Sequence, residues 1–235
     1  MNPIAGPDEL VRVINLTRRF GNTCALEGVS FSIRRGEILG LIGPNGAGKT
    51  TLFECLGGVM PFEAGTIERP NAGAAVFYLP DGIVPWPHET VDWVQRYTLG
   101  FFGGRRELRA AVNRQLGLDG ILDQTLGTLS KGQRKRALLS VGLLTPHEIL
   151  LADEPFEGLD LRQTRETAAL LREMAGPDRT LFLSIHQIAQ AQLVCDRFLL
   201  LSGGRARGEG TLDELAHRSA SAPGTTLEDV FLALT

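Results

Sequence analysis

The sequence predicts an α/β fold with a substantially parallel sheet, and three observations carry that prediction. Four short apolar runs recur at 37–43 (EILGLIG), 148–153 (EILLAD), 180–186 (TLFLSIH) and 197–203 (RFLLLSG). Runs without polar alternation mark strands buried on both faces. Stretches of helical character separate them, the pattern of parallel strands joined by crossover helices. A glycine-rich loop follows the first run and opens directly into the helical stretch TTLFECLGG.

The N-terminal pieces VRVINL (11–16) and VSFSIRRG (29–36) alternate more and are joined by a turn-rich segment. They predict a smaller antiparallel layer in front of the core. The segment 85–128 contains no buried-strand run and gathers Trp86, Trp93, Tyr97, Phe101 and Phe102. Two helices, about 88–102 and 105–116, are predicted there, joined at Gly103-Gly104, as a helical insertion on the core. Its aromatics are expected to form the insertion's own small core, with Trp86, between Pro85 and Pro87, as the exception. A loop at 219–224 (SASAPG) and a last helix from near Thr226 complete the chain.

Composition excludes several classes. The 235 residues are 43% hydrophobic and 22% charged with a net charge of -3, ordinary for a soluble globular protein. That balance argues against bulk electrostatic binding to nucleic acid. The basic clusters Arg34-Arg35, Arg105-Arg106 and Arg134-Lys135-Arg136 read as solvated surface. Cys24, Cys55 and Cys195 lack paired or metal-ligand spacing and read as small buried hydrophobes of a reducing compartment. The N-terminus lacks a signal-peptide pattern, and no run approaches the roughly 18 apolar residues of a membrane span. A cytoplasmic location is expected.

The loop GPNGAGKT (43–50) fits G-x-x-x-x-G-K-[ST] between a strand and a helix, the context that motif requires. Gly43, Asn45, Gly46, Ala47 and Gly48 offer a backbone cradle for phosphates. Lys49 supplies a point charge for the β and γ phosphates, Thr50 a hydroxyl for Mg2+, and Thr51 reaches the α-phosphate. Asp153 and Glu154 close a buried strand at its carboxyl edge, where ligands sit in open α/β sheets. Asp153 suits magnesium, and Glu154 suits a general base for an attacking water. A second anion grip, LSKGQRKR (129–136), runs a serine-bearing turn into a basic helix.

Together GPNGAGKTT, LSKGQ, LLADEP, EGLD and SIHQ, over about residues 10–212, resemble the nucleotide-binding domain of an ATP-binding cassette protein. The likeness is strongest to stand-alone ATPase subunits of exporter-type systems, through the tail TTLEDVFLALT and the acidic YLPD loop. It implies one domain over 1–235: a P-loop NTPase, RecA-like core (9–84 and 129–212) with an N-terminal antiparallel layer. A helical subdomain at about 85–128 and a tail helix at about 225–235 complete it. The implied function is an ATP- and Mg2+-dependent ATPase that dimerises head to tail, as a homodimer, and powers a separate integral membrane permease in export. Lying on the inner face of the membrane through that permease, it has no nucleic-acid partner. A soluble cassette ATPase and a regulatory ATP-binding cassette with weak hydrolysis are the alternatives.

The resemblance also implies roles. Phe20 stacks on adenine, its alternative being a half-buried strand-end side chain. Ser130, Lys131, Gly132 and Gln133 form the signature that completes the partner's site, and Asp160 crosses the dimer seam. His186 contacts the γ-phosphate and orients the water. His88, His147 and His217 read as surface residues. Trp86 marks the permease cleft. Lys131 replaces the first glycine of the signature pair. Asp81 stands where the family has glutamine, so it is either a metal contact or only part of a hinge.

Overall fold

The four apolar runs become neighbours in one sheet. The computed structural model describes residues 8–69, 75–219 and 225–234. Within them β3 (Ile38–Ile42), β6 (Ile149–Asp153), β7 (Thr180–Ile185) and β8 (Arg197–Ser202) correspond to the runs. With β5 (Val76–Leu79) and β9 (Arg205–Gly210) they order as β5-β6-β7-β3-β8-β9, parallel except for the β8–β9 pair. Side chains of each central strand alternate between two apolar cores. Leu150 and Ala152 face one and Ile149 and Leu151 the other, so the absence of polar alternation records burial on both faces.

The antiparallel layer is β2-β1-β4, with β1 (Glu9–Phe20), β2 (Thr23–Arg34) and β4 (Ala64–Glu68). The turn-rich link expected between its first two strands is largely strand. Phe20 pairs with Thr23, and Gly21 turns the chain at φ 57. The edge strands β4 and β9 escape a search for apolar runs, whereas β5, VFYL, is apolar but short and adjoins the loop that carries Asp81. β9, RARGEG, is polar and glycine-rich, and takes its conformation from pairing with β8. The stretch that carries YLPD, expected to be a loop, is strand β5 up to Leu79.

Helices α1 (Lys49–Leu56), α4 (Lys131–Leu144), α5 (Leu161–Met174) and α6 (Ile188–Val194) connect the strands. The insertion holds α2 (Val91–Phe102) and α3 (Arg109–Gln115), shorter than predicted, with the break at Gly103-Gly104. α7 (Leu212–Arg218), which the sequence reading lacked, and α8 (Leu227–Leu234) follow. The loop expected at 219–224 lies, but for Ser219, outside the described residues, as does the start of the chain.

Three surface assignments need correction. Lys135 and Arg136 are not solvated: Lys135 is buried, and Arg136 is half-buried on the Leu116 carbonyl. His147 is half-buried between the rings of Phe77 and Phe102, and burial lowers its pKa. The insertion's core is Val91, Val94, Leu99, Val112, Leu116 and Leu118, whereas the aromatics expected there are exposed. Trp93, Tyr97 and Phe101 recur every fourth residue and line one face of α2.

One buried cation holds the far end of α4. Arg179, 1% exposed, donates to the carbonyls of Gly142, Thr145 and His147 at that helix's C-terminus. Burial, assisted by the charge of Arg105, pulls the guanidinium down to about 9. No carboxylate is among those partners, so three carbonyls and the helix dipole hold the charge. Arg179→Met should cost about 1–3 kcal/mol for each carbonyl left unpaired, read as a lower urea midpoint. An unchanged midpoint would rule out this capping role.

Candidate functional site

Strand β3 delivers the chain into a loop that only glycine can close at one point. Gly48 has φ 103, and a Cβ there would lie 2.5 Å from the Ala25 carbonyl oxygen. The tight approach of β2 lets α1 begin at Lys49 with its first amides unpaired inside the helix, an anion-binding terminus. Lys49 Nζ donates to the carbonyls of Gly43 (2.8 Å) and Pro44 (3.3 Å), which aims its buried ammonium back across the loop. It lies 3.8 Å from the Glu154 carboxylate.

The adjacent strand ends supply the acids. Asp153 is buried and doubly engaged: Thr50 Oγ1 donates to Oδ2 at 2.9 Å and Ser184 Oγ donates to Oδ1. Glu154 adopts φ 51, a left-handed conformation uncommon for a non-glycine residue. Its N–H donates to the Ser184 carbonyl, and its Oε2 meets His186 Nδ1 at 2.7 Å. Two consecutive carboxylates therefore serve different partners, Asp153 toward the Thr50 hydroxyl and Glu154 toward His186 and Lys49.

These groups share a cavity of about 540 Å³ whose wall includes Phe20, Asn45, Gly46, Gly48, Lys49, Thr50, Thr51, Asp81, Asp153, Glu154 and His186. Gly43 and Ala47 stand outside the wall, the first as an acceptor for Lys49 and the second buried. Phe20 is 45% exposed, and the Arg18 guanidinium lies 4.7 Å from its ring centroid. Sequence reasoning missed Ala25, Pro44 and Glu157 in the wall. It also missed Ser184 and Lys135, whose partners are 31 and 54 residues away.

Asp81 borders the cavity, but one of its oxygens is held by Lys135. Burial pushes its carboxyl up, the Lys135 hydrogen bond and charge push it down, and the net shift is downward. As a metal contact it would have to share its charge with that ammonium.

Ser130, Lys131, Gly132, Gln133 and Asp160 are all absent from the cavity wall. Ser130 is exposed and caps α4 in a reciprocal pair with Gln133. Asp160 caps α5 in the same way with Gln163. A Cβ on Gly132 would sit 2.4 Å from the Gly158 carbonyl oxygen, so the first turn of α4 packs backbone to backbone against the loop at Gly158. Lys131 and Glu157 join them again at 2.6 Å. On the insertion, Trp86 has φ 48 and is 45% exposed. Its ring touches Trp93 and Tyr97, and Trp93 stacks on Tyr97 with centroids 5.0 Å apart.

Residues 26–157 match the family model described as ABC transporter. The chain belongs to the ABC transporter family. An aliphatic sulfonates import ATP-binding protein of Pseudomonas fluorescens is 35% identical, over 89% of this chain and 80% of that protein. A Nod factor export ATP-binding protein of Ralstonia nicotianae is 31% identical, over 91% and 70% respectively. Among solved structures, the ATP-binding subunit of an ABC transporter superposes with a TM-score of 0.86 at 27% identity, covering 96% of this chain and 99% of that one. The chain is thus an ABC transporter nucleotide-binding subunit with the P-loop NTPase fold, and an ATPase. Among the described residues no helix is long and apolar enough to cross a membrane.

Gly48→Ala should weaken binding of a fluorescent ATP analogue at least about tenfold, because the side chain meets the backbone of β2 at a φ it disfavours. Retained affinity would show that the loop can open without loss.

Proposed function

We propose that this ATPase works as a head-to-tail homodimer that drives export through a separate membrane permease. The observation that carries the reading is that the chain holds two anion grips and only one faces its own cavity. The first turn of α4, with Ser130 exposed and Gly132 beside it, is capped and presented outside that cavity. A helix N-terminus so placed suits the γ-phosphate held by a second copy, and two-fold symmetry then completes both sites. Asp160, exposed at the start of α5, would lie along the same seam.

Within one chain, the loop at Gly43–Thr51 holds the phosphates and Lys49 neutralises them. Phe20 offers its ring to the adenine. Glu154 takes a proton from the attacking water, and His186, hydrogen-bonded to Glu154, fixes that carboxylate's orientation. Thr50 and Asp153 present a hydroxyl and a carboxylate 2.9 Å apart. Among the described residues no cluster of three or more His, Cys, Asp or Glu could hold a metal unaided. That sparse, hard-oxygen set fits magnesium, which takes few protein ligands and completes its shell with substrate phosphates and water. When bound, the ion would offset phosphate charge.

The domain division we adopt is a core of 9–84 and 129–212 with the helical part at about 85–128. The permease-docking surface is the exposed ridge of Trp86, Trp93, Tyr97 and Phe101, beside the loop that carries Asp81, so the subunit is peripheral on the cytoplasmic face. Relatives are named for import and for export. The acidic loop after β5 and the short helix α8, which buries Leu227 and Val230, favour export by likeness to such subunits.

Glu154→Gln should lower turnover by about 10²–10⁴-fold and leave an ATP-bound dimer detectable by light scattering. Unaltered turnover would remove Glu154 as the base. Trp86→Ala should reduce recovery of a multi-span membrane protein with this chain from detergent-solubilised membranes. Full recovery would place the docking surface elsewhere.

A further inference from the structure

The helix that begins with the signature is tied to the nucleotide site by a lysine outside the motif. Lys135 lies one turn into α4, and its side chain is only 8% exposed. Its Nζ donates to Asp81 Oδ1 and, at 3.2 Å, to the backbone carbonyl of Asp153. Asp153 is the residue that meets Thr50 and Ser184. One ammonium therefore joins the loop after β5, the end of β6 and the first turns of α4. A buried ammonium that loses its carboxylate is left largely uncompensated, and a carboxylate that loses its ammonium faces the phosphate cavity with its charge unbalanced. Each member is thus required by the presence of the other.

We propose that Lys135 is a positioning residue for ATP turnover, holding Asp81 and the Asp153 strand end so that the signature turn keeps its place relative to the cavity. Asp81 then acts through Lys135 and not through the metal. This explains how a carboxylate is accommodated beside a triphosphate: its charge is already matched within the fold. The second tie, between Lys131 and Glu157, restrains the first turn of the same helix from the other loop. The inference rests on the ATP-site assignment proposed above.

The test compares Asp81→Asn, Lys135→Met, the double variant and Lys135→Arg by steady-state ATPase kinetics with a magnesium titration. A fluorescent ATP analogue reports binding. Each single change should lower kcat about tenfold, and the double variant should lose no more than the worse single one, the non-additivity of a directly coupled pair. Lys135→Arg should recover kcat to within about threefold, because a cation of similar length keeps both acceptors. Affinity for the ATP analogue should stay within about twofold throughout, since Lys49 and its loop are untouched. The magnesium concentration for half-maximal turnover should not move in Asp81→Asn.

A multiplicative, roughly hundredfold loss in the double variant would overturn the coupling. A several-fold magnesium shift in Asp81→Asn would make Asp81 a metal contact instead. Loss of analogue binding in parallel with kcat would mean that the pair only supports the fold. Glu154→Gln, run alongside, separates the two levels: if it also turns over normally, the site assignment fails whatever the pair does.

Discussion

The site depends on the parallel register of three adjacent strands. Ile42 pairs with Ile185 across β3 and β7, and Asp153 pairs with Ser184 across β6 and β7. The residues just beyond these pairs are Gly43, His186 and Glu154, so the phosphate loop, the histidine and the acid emerge side by side. Because each strand is buried on both faces, a slip of one residue would exchange the two cores along its whole length. The packing that stabilises the sheet therefore also aligns the chemistry at its edge, and Glu154 takes a strained backbone conformation where the strand ends.

Charge balance is the second theme. Asp81, Asp153, Glu154 and Glu157 all reach the cavity wall, where a polyphosphate would meet them. None is left to repel it unaided. Asp153 accepts two hydroxyl hydrogen bonds, Glu154 lies between Lys49 and His186, Asp81 has Lys135, and Glu157 has Lys131. The cations come from two helices, α1 and α4, so the same contacts that offset the acids fix the helix that begins with the LSKGQ turn.

Local patterns made much of this readable. The glycine-rich loop, the acids after LLA and the histidine that ends the third apolar run are short motifs bound to strand ends, and the structure gathers them around one cavity. The central strands were legible because burial on both faces leaves an apolar run. The edge strands β4 and β9 were not, because an edge needs a neighbour's hydrogen bonds more than apolar side chains; β5, only four residues long, is apolar but runs straight into the loop at Asp81. The aromatics of α2 were misplaced for the opposite reason: hydrophobicity suggested a core, yet their spacing of four puts them on an outward face.

By itself the sequence determined the order of the central strands and their crossover helices, the glycine-rich loop after β3 and the identity of the acids at the strand ends. These follow from residue type within a window of about ten positions, where periodicity and glycine placement act directly. Only the tertiary structure decided the Lys135 contacts with Asp81 and Asp153, the approach of Ser184 to Asp153 and the exclusion of Ser130 from its own chain's cavity. Those are distances between residues tens of positions apart, set by how strands and helices pack, and no local pattern encodes them.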